Sequence, residues 1–274
     1  MYDMKLSSSK RPAVSNRIAP RRVQCVDRAL RLVALLAETP GGLRLAALAE
    51  RTNLAKQTAQ SLLRTLEAWH LCAQPERGGP YLLGPRALFW SRQWLVGEGH
   101  ARLAEPIVEA VTAETGESAL LAELRGGALY RLVEVEAPRA LAARPQWMPP
   151  ERIHRMATGR LLLAHLSDAA RARALAALDY AGDGRSASPS AAALERRLEA
   201  VRAAGYAELI GENDPHLAAL AVPVRTPDGT VHAALGMYLP LGRYPARRRS
   251  QLRAVLRAAA DRIEAAWRGA PATA

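Results

Sequence analysis

The sequence is poor in cysteine, in phenylalanine and in long apolar runs, and these shortages exclude several classes of protein. Cys25 and Cys72 are too few for the disulfide framework of a small secreted domain, so reduced thiols are expected. No apolar run approaches the roughly 18 residues of a membrane span, and no apolar core follows the basic N-terminus as it would in a secretory signal. We therefore expect a cytoplasmic protein with no membrane partner.

Motifs of catalysis and of metal binding are also missing. The sequence contains no P-loop, no G-x-S-x-G and no H-E-x-x-H, and no two of its six histidines lie four residues apart. Neither cysteine lies near the other or near a histidine at a motif spacing. We expect no catalytic residue, no metal and no cofactor. An enzyme built on the C-terminal half is the alternative, because missing motifs argue only moderately against catalysis.

Acidic residues are scarce beside basic ones. The 274 residues include 38 Lys or Arg and 26 Asp or Glu, a net charge of +12. The excess is steepest in residues 1–22, where six basic residues face Asp3 alone, and we interpret this segment as a disordered basic arm. A hydrophobic content of 49% supplies a core for one large or two ordinary domains. The charge is compatible with nucleic-acid binding.

Residues 45–69 contain two apolar-periodic runs separated at Thr52-Asn53-Leu54, and Asn53 tolerates the left-handed backbone of a sharp turn. The second run has a predicted core-facing stripe made of Ala59, Leu62, Leu63, Leu66 and Trp69. The opposite face has cations, amides and a hydroxyl but no carboxylate; its residues are Lys56, Gln57, Gln60, Ser61 and Arg64. The pattern predicts a helix-turn-helix that binds DNA. The alternative is an ordinary helical hairpin with a solvated face.

A β-hairpin is predicted directly after this pair of helices. The short apolar runs 71–73 and 81–84 flank a Gly-rich turn with Arg77 at its tip. A hairpin behind a recognition helix is the wing of a winged helix-turn-helix, and Arg77 is placed to reach a phosphate or a minor groove. With a first helix at 23–36, the predicted DNA-binding domain covers residues 23–84.

Residues 85–99 are predicted to form a linker helix that begins at Pro85, because proline suits the first turn of a helix. Phe89, Trp90 and Trp94 give it more aromatic area than a solvated linker needs. We interpret these three residues as a dimerisation surface. The alternative is that the helix folds back on its own domains.

The C-terminal half alternates strand-like and helical segments. A helix at 101–114, with Leu103, Ile107, Val108 and Val111 inward, precedes a region that is Pro-rich and irregular at 138–151. Strands are predicted at 118–124, 128–135, 217–224 and 231–239, and helices at 158–166, 168–178, 188–205 and 246–267. The pattern predicts an α+β domain at 100–268, with an antiparallel sheet and flanking helices, and a tail at 269–274.

Taken in order, these segments resemble the IclR family of bacterial transcription regulators from residue 23 to residue 267. The resemblance rests on the following stretches: VQCVDRALRLVALLAE, LAKQTAQSLLRTL, YLLGP, HRMATGRLLLAHL, GYAEL, LAVPVRTPDG and the closing helix. It implies a winged helix-turn-helix, a linker helix used for dimerisation, and a C-terminal effector domain related to GAF folds. It also implies operator DNA, a small organic effector and a homodimer or homotetramer as partners.

The resemblance assigns functional positions in both domains. Lys56, Gln57, Thr58 and Gln60 match DNA-facing positions of the family, whereas Ser61 stands where the family often has Arg. Ala157 and Thr158, next to Gly159, occupy the place where backbone amides hold a ligand carboxylate, and Arg160 replaces a frequent Lys. The remaining pocket positions of the family, an acid, a cysteine and two serines, fall on Leu209, Ala219, Gly236 and Tyr238, with Glu208 and Glu212 beside the first.

These replacements leave a pocket with few polar side chains. A two-carbon oxoacid would find few partners there, so an acid with an aromatic or otherwise apolar body is expected. The predicted effector-binding residues are Leu120, Ala157, Thr158, Gly159, Leu209, Glu212, Ala219, Gly236 and Tyr238. The predicted DNA-binding residues are Lys56, Gln57, Thr58, Gln60, Ser61, Arg64 and Arg77.

The sequence therefore predicts a regulator that binds operator DNA, senses such an acid and controls a catabolic operon, with RNA polymerase as a possible further partner. Two alternatives stay open: the enzyme described above, and a dimeric architectural DNA-binding protein that uses no ligand. Turnover of a substrate without DNA would favour the first alternative over regulation.

Overall fold

The computed structural model describes residues 23–97, 99–139, 148–181 and 190–269. The predicted basic arm (1–22), nearly all of the predicted tail and the start of the helix predicted at 188 lie outside the described residues. The chain divides into two compact units, at residues 1–90 and 91–274. Within the described ranges, no helix is long and apolar enough to cross a membrane.

The first unit is built on three helices, α1 (Gln24–Ala37), α2 (Leu45–Arg51) and α3 (Lys56–Ala68). Leu32, Leu36, Leu48 and Leu63 are fully buried where these helices pack, because each repeats at helical spacing on one face. Asn53, between α2 and α3, has φ of +52°, which confirms the left-handed turn that its side chain was expected to tolerate. The predicted helix-turn-helix is therefore present.

The wing follows as two short antiparallel strands, β1 (Cys72–Ala73) and β2 (Leu82–Leu83). Gly84 lies so close to the chain at the helix-to-wing corner that a Cβ there would be 2.2 Å from the carbonyl oxygen of His70. Glycine is needed at this position because any side chain would displace the backbone of the corner.

Three apolar side chains of this unit are exposed, although their periodicity predicted that they would be buried. Trp69 is 57% exposed because α3 ends one residue earlier, and Arg86 lies 6.0 Å from the centre of its ring. On α1, the sequence pattern Val26, Ala29, Leu30, Val33 and Leu36 predicts one buried face, yet Val26 and Leu30 are 53% and 58% exposed. The apolar stripe of α1 is thus wider than the face that its own unit covers.

Helix α4 (Arg86–Gly97) begins directly after Pro85, and α5 (Gly99–Thr115) follows. Phe89 and Trp90 are half exposed, whereas the side chain of Trp94 lies outside what the structure describes. On α5, Ile107, Val108 and Val111 are buried as predicted, but Leu103 is 37% exposed, so its prediction as an inward residue was wrong. α5 starts two residues before its predicted first residue, and Leu103 falls at the margin of its buried face.

The second unit is organised around a five-stranded antiparallel sheet. Its strands are β3 (Ser118–Arg125), β4 (Ala128–Val135), β5 (Ala207–Ile210), β6 (Leu217–Arg225) and β7 (Val231–Pro240), in the order β4-β3-β7-β6-β5. The sequence predicted four of them. The edge strand β5 was not predicted, because four residues are too few to show a period.

The two faces of this sheet are covered differently. On one face, alternate residues such as Leu121, Leu220 and Leu235 pack against α5 and the long helix α9 (Ala246–Gly269). On the other face the alternate residues are small, among them Ala122, Ala221 and Ala234. Small side chains fill less of the space above the sheet, so this face has room for both a helix and a cavity.

The helices over the small-residue face are α6 (Ala157–Ala164), α7 (Asp168–Ala177) and α8 (Ala191–Ala204). A 3-10 helix, Pro150–Arg155, leads into α6 in a stretch that the sequence analysis left irregular. Ser190 caps α8 by accepting a hydrogen bond from the amide of Ala193, and Gly205 ends that helix with φ of +73°. The predicted α+β class, with an antiparallel sheet and flanking helices, is confirmed.

Candidate functional site

A cavity of about 500 Å³, referred to below as the pocket, lies on the small-residue face of the sheet. Strand register explains how distant residues meet there. Leu209 on β5 is paired with Ala219 on β6, which is paired with Tyr238 on β7, so these three residues form one row across the sheet. Gly236 is paired with Leu120 on β3 in the next row. Side chains of paired residues point to the same face, and all five line the pocket.

Helix α6 forms another wall of the pocket. All eight of its residues are buried, and no side chain among the described residues caps its N-terminus, where the carbonyl of Met156 accepts from the amide of Arg160. Ala157 and Thr158 line the pocket at this end. The first amides of a helix have no partner inside the helix and lie at the positive end of its dipole, so an anion is stabilised there.

Two glycines allow this helix to approach its neighbours. A Cβ on Gly236 would lie 2.6 Å from Cγ2 of Thr158, so glycine at this sheet position admits the start of α6. A Cβ on Gly159 would lie 1.9 Å from the carbonyl oxygen of Ile153. Gly159 therefore faces the 3-10 helix, and it is the one predicted effector residue that does not line the pocket.

Glu212 also lines the pocket, and its carboxylate is held by two arginines. Nη2 of Arg160 lies 2.6 Å and Nη1 of Arg197 3.4 Å from the same oxygen, Oε2. Arg160 additionally donates from Nε to the carbonyl of His154 at 2.8 Å, and its side chain is only 5% exposed. This network attaches residues 211–216, the pocket lip, to α6.

The hydroxyl of Tyr238 donates to Oε1 of Glu134 at 3.0 Å. Burial and the neighbouring Glu134 carboxylate raise the pKa of Tyr238 above its ordinary value. The ring of Tyr238 thus presents carbon to the pocket while its hydroxyl is engaged on β4. Glu208, which the sequence placed near the pocket acid, accepts instead from the hydroxyl of Tyr244 at 2.6 Å.

The pocket is more polar at its lip than the sequence analysis expected. Arg155, Asn213 and Asp214 line it together with Glu212, and Asn213 donates from its side-chain amide to the carbonyl of Arg155. No signal in the sequence pointed to these residues, because Arg155 lies in a short 3-10 helix and the lip is an irregular loop, and neither shows a period. The walls are apolar nonetheless, with Leu120, Met148, Leu209 and Leu217 among them.

In the first unit, the polar face of α3 is open to solvent. Lys56, Gln57, Ser61 and Arg64 are exposed, and Thr58 and Gln60 are half-buried. No carboxylate lies on α3 before Glu67. Arg77 is exposed at the tip of the wing. Each of the seven predicted DNA-binding residues is thus at least partly exposed on the surface of this unit.

Two family models match the chain. The model "Bacterial transcriptional regulator IclR C-terminal" matches residues 96–265, and the model "IclR helix-turn-helix domain" matches residues 25–75. The chain belongs to the IclR family.

Relatives of this IclR-family chain resemble it along most of its length. The regulator BhcR of Paracoccus denitrificans is 28% identical and covers 80% of this chain and 78% of its own. A solved structure from Rhodococcus sp. RHA1 is 26% identical with a TM-score of 0.71, and the match covers 90% of this chain and 99% of the other. An IclR homologue from Microbacterium hydrocarbonoxydans, solved with 4-hydroxybenzoate, is 24% identical with a TM-score of 0.73 and covers 90% and 100%.

The chain is thus a DNA-binding transcriptional regulator, with the helix-turn-helix of its family in the first unit and the family's C-terminal domain in the second. The curated relatives it matches are regulators of transcription rather than enzymes. Among the residues that the structure describes, no group of three His, Cys, Asp or Glu side chains is placed to hold a metal ion.

Proposed function

We propose that this IclR-family regulator changes its DNA binding when an organic acid with an aromatic or otherwise apolar body enters the pocket. The observation that carries the proposal is the uncapped start of α6 at the wall of a 500 Å³ cavity whose other walls are largely apolar. An anion site at one end of an apolar cavity suits an amphiphilic acid.

In this proposal the carboxylate of the ligand accepts hydrogen bonds from the backbone amides of Ala157 and Thr158. The ligand body lies against Leu120, Leu209 and the ring of Tyr238, over the small residues Ala219 and Gly236. Gly159 supports the site by keeping α6 close to the 3-10 helix. The 4-hydroxybenzoate in the structure of the Microbacterium homologue supports an acid of this size. A two-carbon oxoacid would leave most of the cavity unfilled.

On the DNA side, we propose that residues 23–84 form the DNA-binding domain, residues 85–99 a linker used for dimerisation, and residues 100–268 the effector domain. The seven exposed or half-exposed polar residues of α3 and the wing contact the operator. A two-fold dimer, or a tetramer made of two dimers, would place paired recognition helices on a near-palindromic site. The regulated genes would then serve the use of the sensed acid.

Calorimetry on the full chain tests the ligand proposal. Benzoate, 4-hydroxybenzoate, glyoxylate and pyruvate are titrated separately, and operator affinity is measured with and without each acid at fixed salt. We expect the aromatic acids to bind more tightly and to change operator affinity. A clear preference for glyoxylate or pyruvate would contradict the proposal.

The variant Ala219→Asp on β6 tests where the ligand lies, and Ala233→Ser on β7 is its control. Ala219→Asp places a second negative charge beside the bound carboxylate, so we expect it to abolish binding of the aromatic acids. Ala233→Ser, on the opposite face of the sheet in β7, should retain binding. Tight binding that survives Ala219→Asp would show that the ligand lies elsewhere.

A further inference from the structure

Gln74 is a polar residue of the wing to which the sequence analysis assigned no role. It follows β1 directly, and it is half-buried. Its side-chain Nε2 donates a hydrogen bond to the carbonyl oxygen of Gly79 at 2.9 Å. This bond connects the end of the first strand of the wing to a residue five positions later, on the other side of the wing tip. Gln74 therefore closes the loop that carries Arg77.

Backbone hydrogen bonds hold the base of the wing. Cys72 is paired with Leu83 in the two short strands. Tyr81 and Leu43, the residue two positions before α2, exchange backbone hydrogen bonds in both directions at 2.8 and 2.9 Å. Within the described part of the wing, backbone pairing thus covers residues 72–73 and 81–83, and residues 74–80 form the tip.

The tip contains a tight turn at residues 76–79. The amide of Gly79 donates to the carbonyl of Glu76 at 2.8 Å, and Gly78, the third residue of the turn, has φ of +79°. These are features of a type II β-turn, whose two central residues form the apex. Arg77 is the first of these two residues, and it is exposed. The direction in which its side chain leaves the wing therefore follows the orientation of the turn.

The orientation of this turn depends on one side chain. Among the hydrogen bonds of the described residues 75–79, one lies within the turn, and the one that joins the turn to the rest of the wing comes from Gln74. Without that second bond the turn would keep its shape but could rotate relative to the strands. A loop that becomes ordered only on binding loses conformational entropy at that step, which weakens the complex.

We propose that Gln74 is a positioning residue for DNA binding, because it orders the wing tip in the free protein so that Arg77 is directed at the DNA. The inference rests on the proposed function, in which Arg77 contacts the operator. An arginine at the DNA backbone contributes to affinity by releasing counterions, so its loss lowers both the affinity and the salt dependence of binding. Removing Gln74 should therefore reproduce part of the effect of removing Arg77.

The test is a double-mutant cycle on the full chain. The wild type first selects a duplex from a random-sequence DNA library, and this duplex is titrated at several salt concentrations with the wild type, Gln74→Met, Arg77→Ala and the double variant. We expect Arg77→Ala to weaken binding by about tenfold and to lower the slope of log affinity against log salt by about one. Met has nearly the length of Gln but no donor, so Gln74→Met should weaken binding by about three- to tenfold and lower the slope in the same direction.

The coupling between the two residues separates positioning from a purely structural role. In Arg77→Ala no guanidinium remains to be positioned, so adding Gln74→Met should weaken binding by less than about 1.5-fold. Cys72→Ala is the matched control, because Cys72 is buried on β1 and its Sγ lies 3.5 Å from the carbonyl oxygen of Leu63, outside the tip. It should change binding by the same factor in the wild type and in Arg77→Ala, and it should leave the salt slope unchanged.

Equal losses from Gln74→Met in the two backgrounds, or no loss in the wild type, would overturn the positioning role of Gln74 and leave the proposed contact of Arg77 standing. Unchanged affinity and salt slope in Arg77→Ala would overturn that contact, and this inference with it.

Discussion

Helices α3 and α6 carry the two proposed binding surfaces of this protein, and they do so in opposite ways. α3 buries only Ala59, Leu63 and Leu66 of its 13 residues and leaves its polar face to solvent. All eight residues of α6 are buried, so what this helix contributes to ligand binding is mainly the backbone at its N-terminus. The face of α3 is therefore visible in its own sequence, whereas the site at α6 depends on what packs around it.

The two helices also differ in how they tolerate substitution. Polar residues on the open face of α3 have few partners in the folded chain, so changing them affects a bound partner more than folding. The charged side chain of α6, Arg160, is bound on both sides, by Glu212 and by the carbonyl of His154. We expect function and stability to be separable on α3 and inseparable on α6.

The largest expected effect is that of Arg160→Met. Removing one partner of a nearly buried ion pair leaves Glu212 poorly compensated, and the free energy of unfolding should fall by about 3 kcal/mol in urea denaturation. Arg64→Met on α3 is the matched control and should change it by less than about 0.5 kcal/mol. Equal losses in the two variants would remove the contrast between the helices.

Helix α4 extends the comparison to a third surface, which we propose meets a second copy of the chain. Phe89 and Trp90 are 55% and 48% exposed, and their burial in a dimer would add a large apolar area. The double variant Phe89→Ala/Trp90→Ala should weaken self-association by about 2 kcal/mol, roughly 30-fold, in sedimentation, and weaken operator binding with it.

Trp69 supplies the control for this prediction, since it is 57% exposed but lies at the end of α3. Trp69→Ala should leave the dimer fraction unchanged. A double variant on α4 that stays fully dimeric would show that α4 is not the interface.

Acid should destabilise the C-terminal unit through His154. This side chain is fully buried, both ring nitrogens lack a partner among the described residues, and its pKa falls from 6.5 to about 4 in the folded state. Between these values the unfolded chain binds more protons, so stability falls as the pH is lowered.

From pH 7 to pH 5 this histidine should cost about 2 kcal/mol of stability. His154→Phe cannot take up the proton, so it should lose about 2 kcal/mol less than the wild type over the same interval in urea denaturation. Parallel pH profiles for the two proteins would refute this account of His154.

The smallest expected effects lie on the open face of α3, and they differ in kind. Gln60→Ala should relax operator preference at one base position by about 1 kcal/mol, because an amide can read an adenine edge. Lys56→Ala should weaken all DNA sequences alike and reduce the salt dependence, because a lysine on a phosphate is not sequence-specific. Operator affinity at fixed salt, measured against single-base variants, separates the two. Unchanged affinity in both variants would remove α3 as the recognition helix.

Local patterns were enough to predict most of the helices and strands. Asn53 indicated the turn before α3, and the alternation of apolar residues indicated β3, β4, β6 and β7. The pattern failed to predict a very short strand, and it predicted burial for apolar residues that no other described element of their unit covers. β5 has only four residues, and Val26, Leu30 and Trp69 are apolar but exposed.

In the pocket, the residues that were predicted lie mostly on strands, and the polar residues that were missed lie outside them. Leu209, Ala219, Gly236 and Tyr238 were assigned by resemblance and Leu120 was predicted with them, and the register of four strands brings the five together. Arg155 and Asn213 were missed because they lie in a 3-10 helix and in a loop, where residue spacing does not determine which side chains meet. Gly159 was assigned to the ligand, but its contact is with the carbonyl of Ile153.

The sequence by itself determined the succession of elements and the acid-free face of α3, because hydrophobic period and turn residues act over a few neighbouring positions. The tertiary structure alone decided which buried polar groups have partners. Arg155, Arg160 and Arg197 are chemically alike in the sequence, yet Arg160 and Arg197 bind Glu212, while Arg155 lies on the pocket wall with Nε lacking a partner among the described residues. For Arg160 and Glu212, that distinction depends on atoms 52 positions apart in the chain coming within hydrogen-bond distance, which no local pattern encodes.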